Sequence, residues 1–280
     1  MADGAPGIAQ ARIRPYKMPD RFFPYRFFWR VQRPLLPPES TLVSQERSIE
    51  PAPQRWLPLY PLAYAAALLP LLTIHLCYLW AASLGHVAWC LPYLHSCTSI
   101  SAVGRSPPEA LLFKALMIPA AVVLALYWWA SRLWLLQLGC RSRRRLAAIV
   151  ALGLIACAGL ILYSVVLGEI GDGYRLSRRT GVFAFYGLSY LALLLIAAAL
   201  HELPMPSASR RAGHALRINA GLMLAMGLLN TAVALWDEAL SRRIEDAFEW
   251  VFTALLCCQV LITADLWRRT GFRLGVGVDR

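Results

Sequence analysis

Leu146-Ala-Ala-Ile-Val-Ala-Leu-Gly-Leu-Ile-Ala-Cys-Ala-Gly-Leu-Ile-Leu-Tyr-Ser-Val-Val-Leu167 contains no charged residue and follows directly on Arg141-Ser-Arg-Arg-Arg145. A helix needs about 20 apolar residues to cross the roughly 30 Å hydrocarbon core of a bilayer, so this run is long enough to span one. Backbone N–H and C=O groups in lipid must bond within their own segment, which makes the run a helix.

Five further stretches qualify by the same measure: 57–84, 110–138, 182–200, 216–235 and 248–266. None shows the short alternation of a membrane β-strand. The expected fold is all-α, a polytopic bundle of six transmembrane helices over residues 57–268. An arm over 1–56 precedes it and a short tail over 269–280 follows. Composition agrees: 58% of residues are hydrophobic, 16% are charged, and the mean hydropathy is +0.51. A soluble domain carries about 25% charged residues, so a soluble globule is excluded, and the long apolar blocks exclude a disordered chain.

The net charge is +12. In a soluble protein that excess would suggest nucleic acid; here the distribution of the cations matters more than their sum. With both termini in the cytoplasm, twenty-one of the 28 Lys and Arg residues fall on that side. The other seven are Arg105, Lys114, Arg175, Arg178, Arg179, Arg242 and Arg243. This is a strong positive-inside asymmetry. The amino-terminal arm contains Arg21-Phe-Phe-Pro-Tyr-Arg-Phe-Phe-Trp-Arg30 and has no apolar core or cleavage site of a signal peptide. Its rings and arginines suit the headgroup layer of an anionic leaflet; a flexible Pro-rich tail is the equal alternative. Nucleic acid is not expected as a partner.

Cys77, Cys157, Cys257 and Cys258 lie within spans and read as packing residues. Cys90 and Cys97 share the first outer loop, where their spacing permits a disulfide without requiring it. His86, Cys90, His95 and Cys97 crowd together but match no metal-ligand spacing, so no metal is expected, and no motif calls for a cofactor. His75 lies inside the first span near its outer third. An intramembrane ionisable residue is a functional candidate, with a bond to a neighbouring helix as the plainer account.

The polar chemistry gathers on the outer side. The first outer loop runs Cys90-Leu-Pro-Tyr-Leu-His-Ser-Cys-Thr-Ser-Ile-Ser-Ala-Val-Gly-Arg-Ser-Pro-Pro-Glu109. Its two prolines suit a helix start, Glu109 then meets the positive end of the helix dipole, and Lys114 can snorkel outward. The second is Gly168-Glu-Ile-Gly-Asp-Gly-Tyr-Arg-Leu-Ser-Arg-Arg-Thr-Gly181, with Glu169, Asp172, Arg178 and Arg179 among its glycines. Arginine forks suit phosphate and glycines let backbone amides approach a ligand. A third acidic and basic segment, from Asp237 to Asp246, leads to Glu249-Trp250 at the mouth of the last span. Ordinary loop solvation is the simpler account of Asp237 to Asp246.

The loop Pro92-Tyr-Leu followed by Ser99-Ile-Ser-Ala-Val-Gly-Arg-Ser-Pro-Pro-Glu109, together with Glu249-Trp250 and Asp265, resembles the FRAG/DRAM/Sfk family of six-span membrane proteins. The resemblance covers about 57–267. Where family members often carry a His three residues before a small residue ahead of the fourth span, this chain has Arg178 before Gly181. The resemblance implies a lipid-related role, remodelling or regulating membrane lipids, including the fatty chains of GPI anchors in one branch. Other relatives regulate without catalysis.

The leading expectation is a membrane protein that engages a lipid or lipid-linked headgroup at its outer face. Arg105, Arg178, Arg179 and Lys114 would grip phosphate; Glu109, Glu169, Asp172 and Glu249 would bind hydroxyls or act as base. If the protein turns over a substrate, acyl transfer or lipid ester cleavage is the class. No G-x-S-x-G elbow is present, and Ser99 or Ser101 is the nominal nucleophile. The alternative is a non-catalytic scaffold recruiting lipid-anchored or membrane protein partners through its cytoplasmic basic face. A small-molecule transporter ranks third, since Asn230, Thr231, Gln259 and His75 are too scattered to line a path.

Overall fold

The computed structural model describes residues 55–204 and 207–276. In chain order the elements are β1 (Arg55–Pro58), α1 (Tyr60–Ser83), α2 (Pro92–His95), α3 (Ile100–Val103) and α4 (Glu109–Gln137). They are followed by α5 (Arg143–Val166), α6 (Asp172–Glu202), α7 (Ser207–Trp236), α8 (Glu238–Arg269) and β2 (Arg273–Val276). Six of the helices are long and apolar enough to cross a membrane. The aromatic arm lies outside the described residues apart from 55 and 56.

The six long helices form a closed ring. α1 packs on α4, α4 on α5, α5 on α6, α6 on α7, α7 on α8, and α8 returns to α1. Chain neighbours are ring neighbours because the connections are short, with the 84–108 segment alone carrying helices of its own. That segment, the 167–171 turn and Asp237 share one end of the ring, here termed the loop end. At the opposite end β1 pairs antiparallel with β2, Trp56 opposite Gly275 and Leu57 opposite Leu274.

Apolar side chains such as Leu72, Leu126, Ile155, Phe183 and Leu228 face outward and exposed, as lipid-facing residues must. Because lipid is as apolar as leucine, close packing and polar bonds hold such helices together instead. A Cβ on Gly181 would lie 2.6 Å from the Gly159 carbonyl oxygen, so only glycine lets α5 and α6 approach this closely. Between α7 and α8 the Asn219 amide donates to Gln259 Oε1 at 2.7 Å and to the Leu255 carbonyl at 2.9 Å. The Gln259 amide in turn donates to the Leu216 carbonyl at 3.1 Å. Toward the sheet end, Tyr127, Trp128, Trp134 and Trp267 are fully buried in one aromatic cluster. The buried hydroxyls of Thr73, Ser131, Ser164 and Thr263 each donate to a carbonyl one turn back, so none faces hydrocarbon unbonded.

Three helices begin well before the sequence expectation. α6 begins at Asp172 rather than 182, α7 at Ser207 rather than 216, and α8 at Glu238 rather than 248. Most of the 168–181 and 237–249 segments, expected as loops, is therefore helix. Hydropathy marks only the apolar part of a helix, whereas polar turns continue it through the headgroup layer. Asp237 caps α8 by accepting from the Ala239 and Leu240 N–H groups. Asp172–Arg175 and Glu238–Arg242 pair along their helices. α1 starts at Tyr60 rather than 57, because Trp56, Leu57 and Pro58 belong to β1.

Candidate functional site at the loop end

The 84–108 connection is bonded to the third and fourth turns of α8 at three successive points. The Ala247 N–H donates to Ser96 Oγ at 3.1 Å, the Trp250 indole N–H to the Thr98 carbonyl at 2.9 Å, and the Ile100 N–H to Glu249 Oε2 at 3.0 Å. Glu249 thus meets the start of α3, where free N–H groups favour a carboxylate. Ser99 caps the same helix through the Ala102 N–H at 3.1 Å, and its Oγ lies 3.0 Å from that of Ser101.

Trp250 is fully buried, with the rings of His75, Tyr78 and Tyr93 around it at 5.5–5.9 Å. His75 Nδ1 lies 2.7 Å from the Leu71 carbonyl, which only accepts, so Nδ1 carries the proton. His75 Nε2 then accepts from the Tyr93 hydroxyl at 3.0 Å. The intramembrane histidine is a bonded link between α1 and α2. Cys90 and Cys97 form a disulfide across this connection. The Tyr78 hydroxyl holds Cys90 from both sides, donating to its carbonyl at 2.6 Å and accepting from its N–H at 2.8 Å.

Beneath the connection, Glu109 opens α4 with no exposed surface. Its Oε1 lies 2.7 Å from His86 Nδ1, and its buried Oε2 has no partner among the described residues. His86 is itself about one-third exposed. A carboxylate accepting from Nδ1–H leaves Nε2, which has no hydrogen-bond partner among the described residues, with the lone pair of an oriented base. Sequence reasoning weighed His86 only as a metal ligand. No spacing rule would have paired it with Glu109, since the contact depends on how the connection folds back.

An apolar, partly open cavity lies inside the ring. Ile74, Met117, Leu124, Leu160, Leu256 and Val260 are among its walls; Glu249, Thr253, Tyr163 and Tyr186 supply its polar atoms near the loop end.

A profile described as Frag1/DRAM/Sfk1/Cwh43P N-terminal domain matches residues 58–267. The chain belongs to this family. Comparison with curated proteins and with solved structures gave no match. In this Frag1-family chain the stretch 99–109, on which the sequence resemblance rested, is the one that meets α8 through Ile100 and supplies Glu109.

The remaining expected residues separate into two groups. Lys114 Nζ lies 3.7 Å from Glu169 Oε1, and Arg178 donates to the Glu169 carbonyl at 2.7 Å, which joins α4, the 167–171 turn and α6. Arg105 stands beside them through its backbone, since a Cβ on Gly168 would lie 2.8 Å from the Arg105 carbonyl oxygen. Asp172 and Arg179 are exposed on α6, and Asp172 pairs with Arg175 at 3.3 Å rather than with the site. Tyr163, Tyr186 and Thr253 were missed. Inside an apolar span they look like packing residues, and only the ring places them around one cavity.

Proposed function

We propose that this chain is an integral membrane protein that engages a lipid or lipid-linked headgroup at its outer face, in remodelling or homeostasis of membrane lipids, GPI-anchor-like lipids among them. The observation that carries this reading is the pairing of partly exposed His86 with buried Glu109 beneath the connection that Glu249 joins to α8. Acidic and basic groups thereby stand at the level where a headgroup lies. Lys114, Arg178 and the neighbouring Arg105 supply cations for phosphate. Glu249 and His86 supply acceptors for hydroxyls, and buried Glu109 orients His86. If turnover occurs, His86 is the base the geometry favours, on a lipid ester. Ser99 and Ser101 are bonded to each other and to α3.

The orientation follows from the cation asymmetry, with both termini cytoplasmic and the loop end outside. Single cysteines placed at Gly173 and at Arg141 should label from opposite sides of intact cells. Lipid mass spectrometry tests the function: membranes carrying His86→Ala or Glu249→Gln should show the same altered lipid profile as membranes lacking the protein. An unchanged profile together with altered partner recruitment would support the second reading, a scaffold for lipid-anchored or membrane proteins. The exposed Arg141, Arg143 and Arg144 favour that reading.

A further inference from the structure

We infer that the cavity inside the ring takes one aliphatic chain of an ester-linked bilayer lipid, with the ester beside Tyr163 and Glu249 and the hydrocarbon running toward Leu124 and Val260. This rests on the headgroup reading above and names the part of the lipid that the interior holds.

Enclosure, length and polarity each support that occupant. Protein interiors pack densely and leave few voids larger than a water molecule, yet an apolar, partly open space remains between α1, α4, α5, α6 and α8. On α8 the walls run from Glu249 to Val260, and on α4 from Phe113 to Leu124. At about 1.5 Å per residue each wall is roughly 16 Å tall, close to the roughly 15 Å of hydrocarbon in one leaflet. The deep walls offer a polar ligand no partner, but they suit a methylene chain, which needs none.

The polar end has one unused donor. Thr253 Oγ1 gives its proton to the Glu249 carbonyl at 2.7 Å. The Tyr186 hydroxyl, 2.6 Å from Thr253 Oγ1, must therefore donate to it. Tyr163 also lines the cavity, and its buried hydroxyl has no partner among the described residues. Leaving such a donor unsatisfied is costly, and an ester carbonyl at the cavity mouth would accept from it.

The test uses the full-length protein in nanodiscs with two photoactivatable probes, a diazirine-palmitoyl phosphatidylcholine and diazirine-palmitic acid. The phospholipid probe should form adducts on Met117, Leu160 and Leu256. Leu256→Trp, which fills the cavity, should lower them at least tenfold while adducts on outward-facing Leu126 and Phe183 persist. Should that variant not fold, Val260→Phe serves the same purpose. Tyr163→Phe should lower capture of the phospholipid probe severalfold without shifting thermal stability downward. Adducts confined to outward faces, or wall adducts indifferent to both filling variants, would overturn the inference, as would capture of the free acid alone. Wall adducts with an unchanged lipid profile in His86→Ala membranes would support the chain site and sink the headgroup reading. An altered profile without wall adducts would do the reverse.

Discussion

The 84–109 stretch and the 168–181 segment look alike in sequence: each mixes glycine, serine, arginine and carboxylate between two apolar runs. In the fold they behave differently. The first is bonded to α8 by Ser96, Thr98 and Ile100, strapped by the Cys90–Cys97 disulfide, and buries Glu109 completely. The second turns after Gly171 into the first turns of α6, where Asp172 and Arg179 stand exposed. Polar composition marks the end of the ring at which these groups gather. Whether they become a site depends on long-range bonds that recover the cost of holding them out of water.

The comparison breaks most visibly at Trp250. Its ring sits among His75, Tyr78 and Tyr93, and its N–H holds Thr98. Trp250→Ala should cost about 3–5 kcal/mol and sharply lower the melting temperature in detergent. Trp250→Phe, which keeps a ring and loses the bond to Thr98, should cost much less. An equal loss for both would mean that the bond, rather than the packing, seats the connection.

His86→Ala comes next. Glu109 would remain buried with neither oxygen paired, and stranding a buried charge costs about 3–5 kcal/mol. The exposure of His86 places the effect toward the lower figure. His86→Ala combined with Glu109→Gln should recover part of the loss, because the charge is then gone. Thermal melts of the two singles and the double measure this coupling; strict additivity would show that the pair does not act as a unit.

The disulfide is a third, smaller lever. It joins residues separated by 7 positions, and closing so short a loop removes roughly 2.5 kcal/mol of unfolded-state entropy. Cys90→Ser with Cys97→Ser, compared with the parent under non-reducing conditions, should show a loss of that order. The difference should vanish when both are measured in reductant.

The spans were legible because the hydrocarbon core imposes a length that a sequence must meet. Leu146 to Leu167 meets it without a charge, and α5 is the helix found there. Helix ends in the headgroup layer were not legible, since Asp172, Asp237 and Glu238 look like loop residues until their local bonds are known. The stretch 99–109 was legible through its resemblance to the family, and Glu109 and Glu249 as candidates because they lie in polar segments that converge on one end of the bundle. His86, Tyr163 and Thr253 were not. Their significance lies in contacts between the 84–108 connection and α4, or among α5, α6 and α8, and no periodicity records which faces a ring turns inward.

The smallest expected effect sharpens the contrast. Asp172→Asn together with Arg175→Gln removes an ion pair whose side chains are mostly exposed. Water and salt screen such a pair on either side of the change, and α6 keeps its backbone bonds. The double variant should leave the melting midpoint and the cellular lipid profile unresolved from the parent. Lys114→Gln and Arg178→Gln differ in kind, because both groups converge on Glu169 and tie three elements together. They should change the lipid profile with little change in melting if that cluster holds phosphate. Were Asp172 and Arg175 to matter as much as Lys114 and Arg178, the distinction between a gathered and an ungathered segment would fail. The whole loop end would then act through its net charge rather than through the arrangement of its side chains.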